Sequence, residues 1–244
     1  MLQHFHWHSG DIIPHRPGKV VCVGRNYVAH AAELGNEVPE EPLLFIKPAT
    51  ALTALEPGFI IPVDRGEVHH ETELALLVGQ PLTRANTEQA AAAILGIGIA
   101  LDLTLRDVQA KLKEKGLPWE LAKSFDGAYV LAPFVAADAV EDVTDIGIRL
   151  SVDGQLRQDG NSRDMLNPII PLIQHIAAHF SLQAGDVVST GTPAGVAARA
   201  ASYTAVTWGT PTPAMTRVVQ MEPGPMPTLT PSAPMSTNAR AASA

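Results

Sequence analysis

Residues 68–78 read Val68-His69-His70-Glu71-Thr72-Glu73-Leu74-Ala75-Leu76-Leu77-Val78. The run reads as a strand, on which side chains alternate between faces. Glu71 and Glu73 then share one face, while Leu74, Leu76 and Val78 share the other. Two carboxylates side by side repel, so each is driven toward its protonated form or needs a cation, and no basic residue at neighbouring same-face positions supplies one. An isolated Glu-x-Glu is ordinarily a solvated strand face. A second run argues otherwise: Gly96-Ile97-Gly98-Ile99-Ala100-Leu101-Asp102-Leu103-Thr104 is almost wholly apolar, reads as a buried strand and carries one aspartate near its end. A buried carboxylate requires a partner. Glu71, Glu73 and Asp102 converging, without cysteine or an obligatory histidine, suit a hard divalent cation such as Mg²⁺ or Mn²⁺ rather than zinc.

Further strand-like runs lie at Lys19–Gly24, Leu43–Lys47, Ala128–Val135 and Ile146–Val152. Helical spacing is confined to Tyr27–Leu34, Thr87–Leu95, Arg106–Lys115 and Pro168–Phe180; the last places Ile169, Leu172, Ile173, Ile176 and Phe180 on one face. Val152-Asp153-Gly154-Gln155 carries the Asp-Gly signal of a two-residue hairpin turn, pairing IRLSV with QLRQD. No internal repeat interrupts this, which predicts one compact domain of about 200 residues.

Composition changes near residue 200. Seven of the 20 prolines lie in 211–244, with four of the six methionines and no apolar period, so 201–244 is expected to be a largely disordered tail. Residues 1–16 are expected to form an N-terminal strand segment, and 17–200 the catalytic domain. A chain of 244 residues with 46% hydrophobic content can bury a sizeable core. Its net charge of -8, with no basic run, lacks the footprint that phosphate backbones require, so nucleic acid is not an expected partner. The single Cys22 cannot form an internal disulfide, and MLQHFHWHSG lacks the basic start and apolar core of a signal peptide; a cytoplasmic location is expected. The longest apolar stretch, Ala90–Leu103, falls short of the ~20 residues that cross a bilayer, so no membrane association is expected.

The run KVVCVGRNYVAHAAELG, followed in order by PEEPLLFIKP, VHHETELALLVG, GIALDLTLRDVQ, GLPWELAKSFDG, the LSVDGQLRQDGN hairpin and GDVVSTGTPAG, resembles the fumarylacetoacetate hydrolase family over about residues 17–196. The resemblance implies an α+β fold, a mixed β-roll or β-sandwich-like barrel with short flanking helices, and a homodimer. It implies a divalent metal on Glu71, Glu73 and Asp102, in agreement with the strand argument above. It also matches Lys123 to a lysine facing a bound keto acid, and His30 and Glu33 to a catalytic pair on a lid helix. Arg25, Lys47, Arg106, Gln109 and Thr192 are matched to substrate-binding positions. The sequence departs from the family after GTPAGVAARA, where a Pro/Thr-rich tail replaces the expected turn and two closing strands; Thr216-Arg217-Val218-Val219 resembles a family ending. Missing closing strands would leave a sheet edge unpaired.

Each of these residues has a plainer reading. His30 and Glu33, three apart on a helix, are commonly an exposed pair, Lys123 a surface lysine, and Arg106 with Asp107 a helix-start ion pair. His69 and His70 sit beside the carboxylates, but HHETE lacks zinc spacing, and His70 is read instead as orienting them. His4, His6 and His8 share a strand face that is expected to cover an edge, and Cys22 is expected to be buried and inert.

Such a centre suits a small-molecule 2-keto acid. The first expectation is hydrolysis of a 2,4-diketo acid such as fumarylpyruvate to pyruvate and a carboxylic acid, with His30 and Glu33 activating water. The alternatives are oxaloacetate decarboxylation or tautomerisation, isomerisation of a 2-hydroxyhepta-2,4-diene-1,7-dioate type of acid, or a non-catalytic binding protein on the same scaffold. Retention of like charges together speaks against the last.

Overall fold

The two runs that carry the acidic residues pair antiparallel, from Thr72↔Leu101 to Val78↔Ile94, at the centre of an eight-stranded sheet. The computed structural model describes residues 1–62, 65–152, 154–198, 203–209 and 215–219. Across the sheet the strands run Leu43–Lys47, Val20–Gly24, Val187–Ser189, Thr72–Val78, Ile94–Asp102, Tyr129–Leu131 and Leu52–Ala54, with Val135–Ala136 also on the Ile94–Asp102 strand. Val187–Ser189 runs parallel to Val20–Gly24, and Tyr129–Leu131 parallel to Leu52–Ala54, while the other pairs are antiparallel. The architecture is α+β, a mixed, curled sheet with a few short helices.

Both faces of this sheet are buried, which explains why its central strands read as continuous apolar runs. Leu74, Leu76, Ile97, Ile99 and Leu101 join one core with Leu172, Ile173 and Ile176 of the Ile169–His179 helix. Ala75, Leu77, Ala100 and Tyr129 face a second core closed by Phe5, Ile13 and Phe134. The N-terminal segment supplies that cover through a two-stranded ribbon, Phe5–His6 with Ile12–Ile13. Gly98 is needed here, because a Cβ in its place would meet the Phe134 ring at 2.9 Å. Cys22 is buried, and its thiol is raised well above its ordinary value by burial and then by Asp102. Among the described residues no helix is long and apolar enough to cross a membrane.

Two expected strands are shorter than their sequence patterns. The 68–78 run breaks at Glu71 into Val68–His70 and Thr72–Val78, and the 96–104 run ends at Asp102, with Thr104–Leu105 separate. The cause is tertiary: Val68–His70 leaves the central sheet to pair with Thr104–Leu105 and Ala197–Ala198. Glu71 and Asp102 therefore sit where the chain passes between sheets.

A further sheet is built on the Asp-Gly hairpin, whose strands Gly147–Val152 and Gln155–Asn161 pair as Val152↔Gln155; Asp153 lies outside the described residues. Tyr203–Gly209 adds to Gly147–Val152, and Met215–Val219 adds to Tyr203–Gly209. Backbone pairing therefore continues past residue 200, on the strand that the hairpin provides. The remainder of the 201–244 segment lies outside the described residues.

Buried Gln158 ties the hairpin to the acidic strand. Its Oε1 accepts the Thr72 amide at 2.9 Å, and its Nε2 donates to Thr192 Oγ1 at 2.7 Å and to the Pro193 carbonyl at 2.9 Å. Gln158→Leu leaves the Thr72 amide buried without its partner, a loss of about 1–3 kcal/mol. The expected drop in Tm is roughly 2–12 °C, at about 2–4 °C per kcal/mol. An unchanged Tm would show that water replaces the amide.

Candidate active site

The break at Glu71 is held by the Asp102 amide, which donates to the Glu71 carbonyl at 2.8 Å, so the two acidic side chains enter one cleft. Glu71, Glu73 and Asp102 are all buried, and each places a carboxylate oxygen within 4.8 Å of the others. Around them the cations are as tightly ordered. Lys123 Nζ donates to Glu71 Oε2 at 2.7 Å and to Asp102 Oδ2 at 2.9 Å. Arg106 pairs with Glu71 Oε1 and donates to Gln109 Oε1 at 2.7 Å. Glu73 Oε2 accepts from the Ser189 hydroxyl and from the Gly191 amide at 3.0 Å, and Tyr129 donates to Ser189 at 2.9 Å.

The electrostatics separate the three acids. Burial alone would raise Glu71, but Lys123 and Arg106 outweigh it and hold the carboxyl well below the usual range. Among the described residues Glu73 has no cation within ion-pair distance, and burial, followed by Asp102 and Glu71, pushes it up to about 8. Burial works against the Lys123 charge, yet Asp102 and Glu71 hold it above its ordinary value. Glu73 therefore keeps a proton at neutral pH, in a site lacking a positive charge on its side. Asp102, by contrast, is flanked by two ammonium groups, Lys123 at 2.9 Å from Oδ2 and Lys47 at 2.8 Å from Oδ1, although no directed hydrogen bond reaches Oδ1. Three hard oxygens, one protonated and one without a hydrogen bond, fit a divalent metal ion.

The cleft is also lined by Arg25, His30, Phe45, Gln109, Lys113, Trp119 and Thr192. His30 lies on the short Val28–Glu33 helix, and its Nδ1 is 3.4 Å from Glu33 Oε2. Burial lowers its pKa, although Glu71 and Glu33 oppose the shift, so the ring is neutral at neutral pH. Glu33 does not itself line the cleft; its carboxylate accepts the Gly195 amide at 3.0 Å and so fastens the helix to the Thr192 loop.

The structure thus brings together Glu71, Glu73, Asp102, Lys123, His30, Arg25, Arg106, Gln109 and Thr192. Lys47 is the exception among the expected substrate contacts. It is fully buried beneath Asp102, donates to the Lys123 and Ala128 carbonyls, and does not line the cleft. His69 pairs with Glu67 at 3.0 Å, and His70, lowered to about 4 by burial and then by His69, lies outside the cleft; neither joins the acidic cluster. Sequence reading missed Ser189, which orients Glu73, and the wall formed by Phe45, Lys113 and Trp119. Lys113 was accessible to it, standing seven residues after Arg106 on the face that turns inward.

This fold and site define a metal-dependent enzyme. Residues 19–224 match the family described as fumarylacetoacetate (FAA) hydrolase C-terminal, and the chain belongs to the fumarylacetoacetate hydrolase family. It is 51% identical over 197 residues to the oxaloacetate tautomerase YcgM of Escherichia coli (strain K12), covering 80% of this chain and 90% of that one. To the mitochondrial oxaloacetate decarboxylase of Dictyostelium discoideum it is 40% identical over 179 residues, covering 73% and 82%. The crystal structure of fumarylpyruvate hydrolase from Pseudomonas aeruginosa in complex with Mn²⁺ and pyruvate superposes with a TM-score of 0.79 at 31% identity, covering 90% of this chain and 96% of that one.

The Glu73 proton makes the stability of the metal-free protein depend on pH. The folded carboxyl holds its proton up to about pH 8, whereas the unfolded one releases it near 4.5. The folded state binds more protons between these values, so stability falls as pH rises through that interval. A divalent ion takes the place of the proton, and its stabilising effect grows over the same interval. Thermal midpoints with chelator and with Mn²⁺, across that pH range, test this; a metal-free midpoint that rises through the interval contradicts it.

Proposed function

We propose that the chain is an oxaloacetate tautomerase, moving a proton between the keto and enol forms, with decarboxylation of the same acid as a branch of the same chemistry. The observation that carries the reading is the extent of similarity to an oxaloacetate tautomerase, with the cleft residues of such chemistry in place. The similarity to an oxaloacetate decarboxylase supports the branch. Hydrolysis of an acylpyruvate, the first expectation from the sequence, becomes the second reading, favoured by the likeness to a fumarylpyruvate hydrolase at lower identity.

Glu71, Glu73 and Asp102 would hold Mg²⁺ or Mn²⁺, which when bound supplies a Lewis acid for the keto oxygen of the substrate. Arg106, Gln109 and Thr192 offer a guanidinium, an amide and a hydroxyl to the 2-keto acid head. His30 donates from Nδ1 to Glu33, a tautomer assigned from that hydrogen bond, which leaves Nε2 as the accepting nitrogen. The C3 proton of oxaloacetate passes to Nε2, the C–H electron pair becomes the C2–C3 π bond, and the carbonyl π pair moves onto oxygen. Lys123, cationic and buried beside Asp102 and Glu71, opposes the negative charge developing there. Return of the proton from the imidazolium to that oxygen gives the enol, and the reverse sequence gives the ketone. In decarboxylation the C3–C4 bonding pair takes the place of the C–H pair, and carbon dioxide leaves.

The test follows the ultraviolet absorbance of enol-oxaloacetate beside that of an acylpyruvate, with Mn²⁺, with chelator and in Glu71→Gln. Metal-dependent acceleration of the oxaloacetate change, abolished in Glu71→Gln, is expected. His30→Ala should reduce kcat by about 10²–10⁴, the usual worth of a positioned general base. The wild-type rate should hold through neutral pH and fall only in acid, as the imidazole protonates below its ordinary range. Preferential turnover of the acylpyruvate would move the assignment to the hydrolase, and silence on both substrates would overturn both readings.

A further inference from the structure

Arg25, Arg106, Lys113 and Lys123 line the cleft, and among the described residues only two of these four cations have acidic partners. Arg106 and Lys123 are paired with Glu71 and Asp102. Among the described residues, neither Arg25 nor Lys113 lies within ion-pair distance of a carboxylate, although both line the cleft. Lys113 is half-buried on the Arg106–Glu114 helix, and its ammonium lies 5.2 Å from the centre of the Trp119 ring. Trp119 packs on Phe45 with centroids 5.9 Å apart, so an apolar wall backs that charge.

Arg25 is held in a conformation that non-glycine residues rarely adopt, with φ of 59°. Its Nε is buried without a partner, and its Nη1 donates only to the Glu37 carbonyl, at 3.4 Å. A buried Arg25 Nε without a partner and the partial burial of a second cation beside the same cleft are unfavourable unless an anion enters. Burial, then the charges of Arg25 and Arg106, pull Lys113 down to about 8, the mark of a cation lacking its counter-ion. The keto-acid head already has Arg106, Gln109 and Thr192 for its own carboxylate. A second anionic group is what this wall is built to meet.

We infer that Lys113, assisted by Arg25, forms a second carboxylate subsite that receives the distal carboxylate of a four-carbon dicarboxylic acid and sets a preference for dicarboxylates over monocarboxylates. This deepens the oxaloacetate reading and rests on it for the identity of the acid. Lys113 is a specificity-determining residue in this assignment, distinct from the groups that move protons.

Two stable acids with the same 2-hydroxy head separate the subsite from the rest of the cleft: malate, and 2-hydroxybutanoate, in which a methyl group replaces the distal carboxylate. Calorimetric titration of each into the Mn²⁺-loaded protein gives the preference directly. Wild type is expected to bind malate at least tenfold more tightly. Lys113→Met should weaken malate by about 10- to 100-fold, the usual effect of losing a hydrogen bond to a charged group, and change 2-hydroxybutanoate less than about twofold. Lys113→Arg, which keeps the charge, should restore much of the preference. No malate preference in the wild type, or equal losses on both acids in Lys113→Met, overturns the inference. Preference for malate without turnover of oxaloacetate would leave the subsite standing and remove the tautomerase reading, while turnover without preference would do the reverse.

Discussion

Three carboxylates and two ammonium groups form one buried cluster, joined by contacts such as the 2.7 Å bond between Lys123 and Glu71. Such a cluster is unstable in isolation, since charges taken from water require partners in good geometry. The fold supplies that geometry from rigid parts. Glu73 and Asp102 lie in paired central strands, Glu71 at the break between sheets, and Ser189 on the neighbouring strand. Lys47 reaches the cluster from the sheet's far edge and props Asp102 from beneath. Removing one member exposes the charge of another, so the cluster behaves as a unit.

A metal ion fits into this arrangement as a missing term of the charge balance. Lys123 and Arg106 neutralise the Glu71 side, whereas Glu73 is left to a hydroxyl and an amide and retains a proton. The asymmetry matters for chemistry. Lysine and arginine offer no metal-ligating lone pair while charged, and Lys123 keeps its charge between Asp102 and Glu71.

The acidic trio was legible in the sequence because each signal was a conflict: two like charges on one strand face, and one carboxylate in a run too apolar to solvate it. The central sheet and its flanking helices were legible from periodicity for the same local reason. What could not be read was set by distant pairing. Nothing around Glu71 signals that the strand breaks there, since the partners are Thr104–Leu105 and Ala197–Ala198. Lys47, at the end of an apolar strand, reads equally as a substrate contact or a buried prop, and only its position under Asp102 decides. Tyr203–Gly209 was hidden by the composition of the segment that contains it, although the strand it pairs with was plainly marked by the hairpin turn.

The break at Glu71 divides the cleft into a floor made of sheet and a rim made of helices and loops. Glu71, Glu73 and Asp102 cannot change without disturbing the buried central strands, nor Lys47 without removing the support of Asp102. Arg25, Lys113 and Trp119 are only partly buried and stand on a loop or at helix positions beside the cleft, where replacement disturbs less packing. Substitution can therefore act on the two parts independently. A lineage built on this scaffold can exchange the groups displayed at the rim many times over while the acidic floor is inherited intact, which makes diversity of recognition the accessible evolutionary direction.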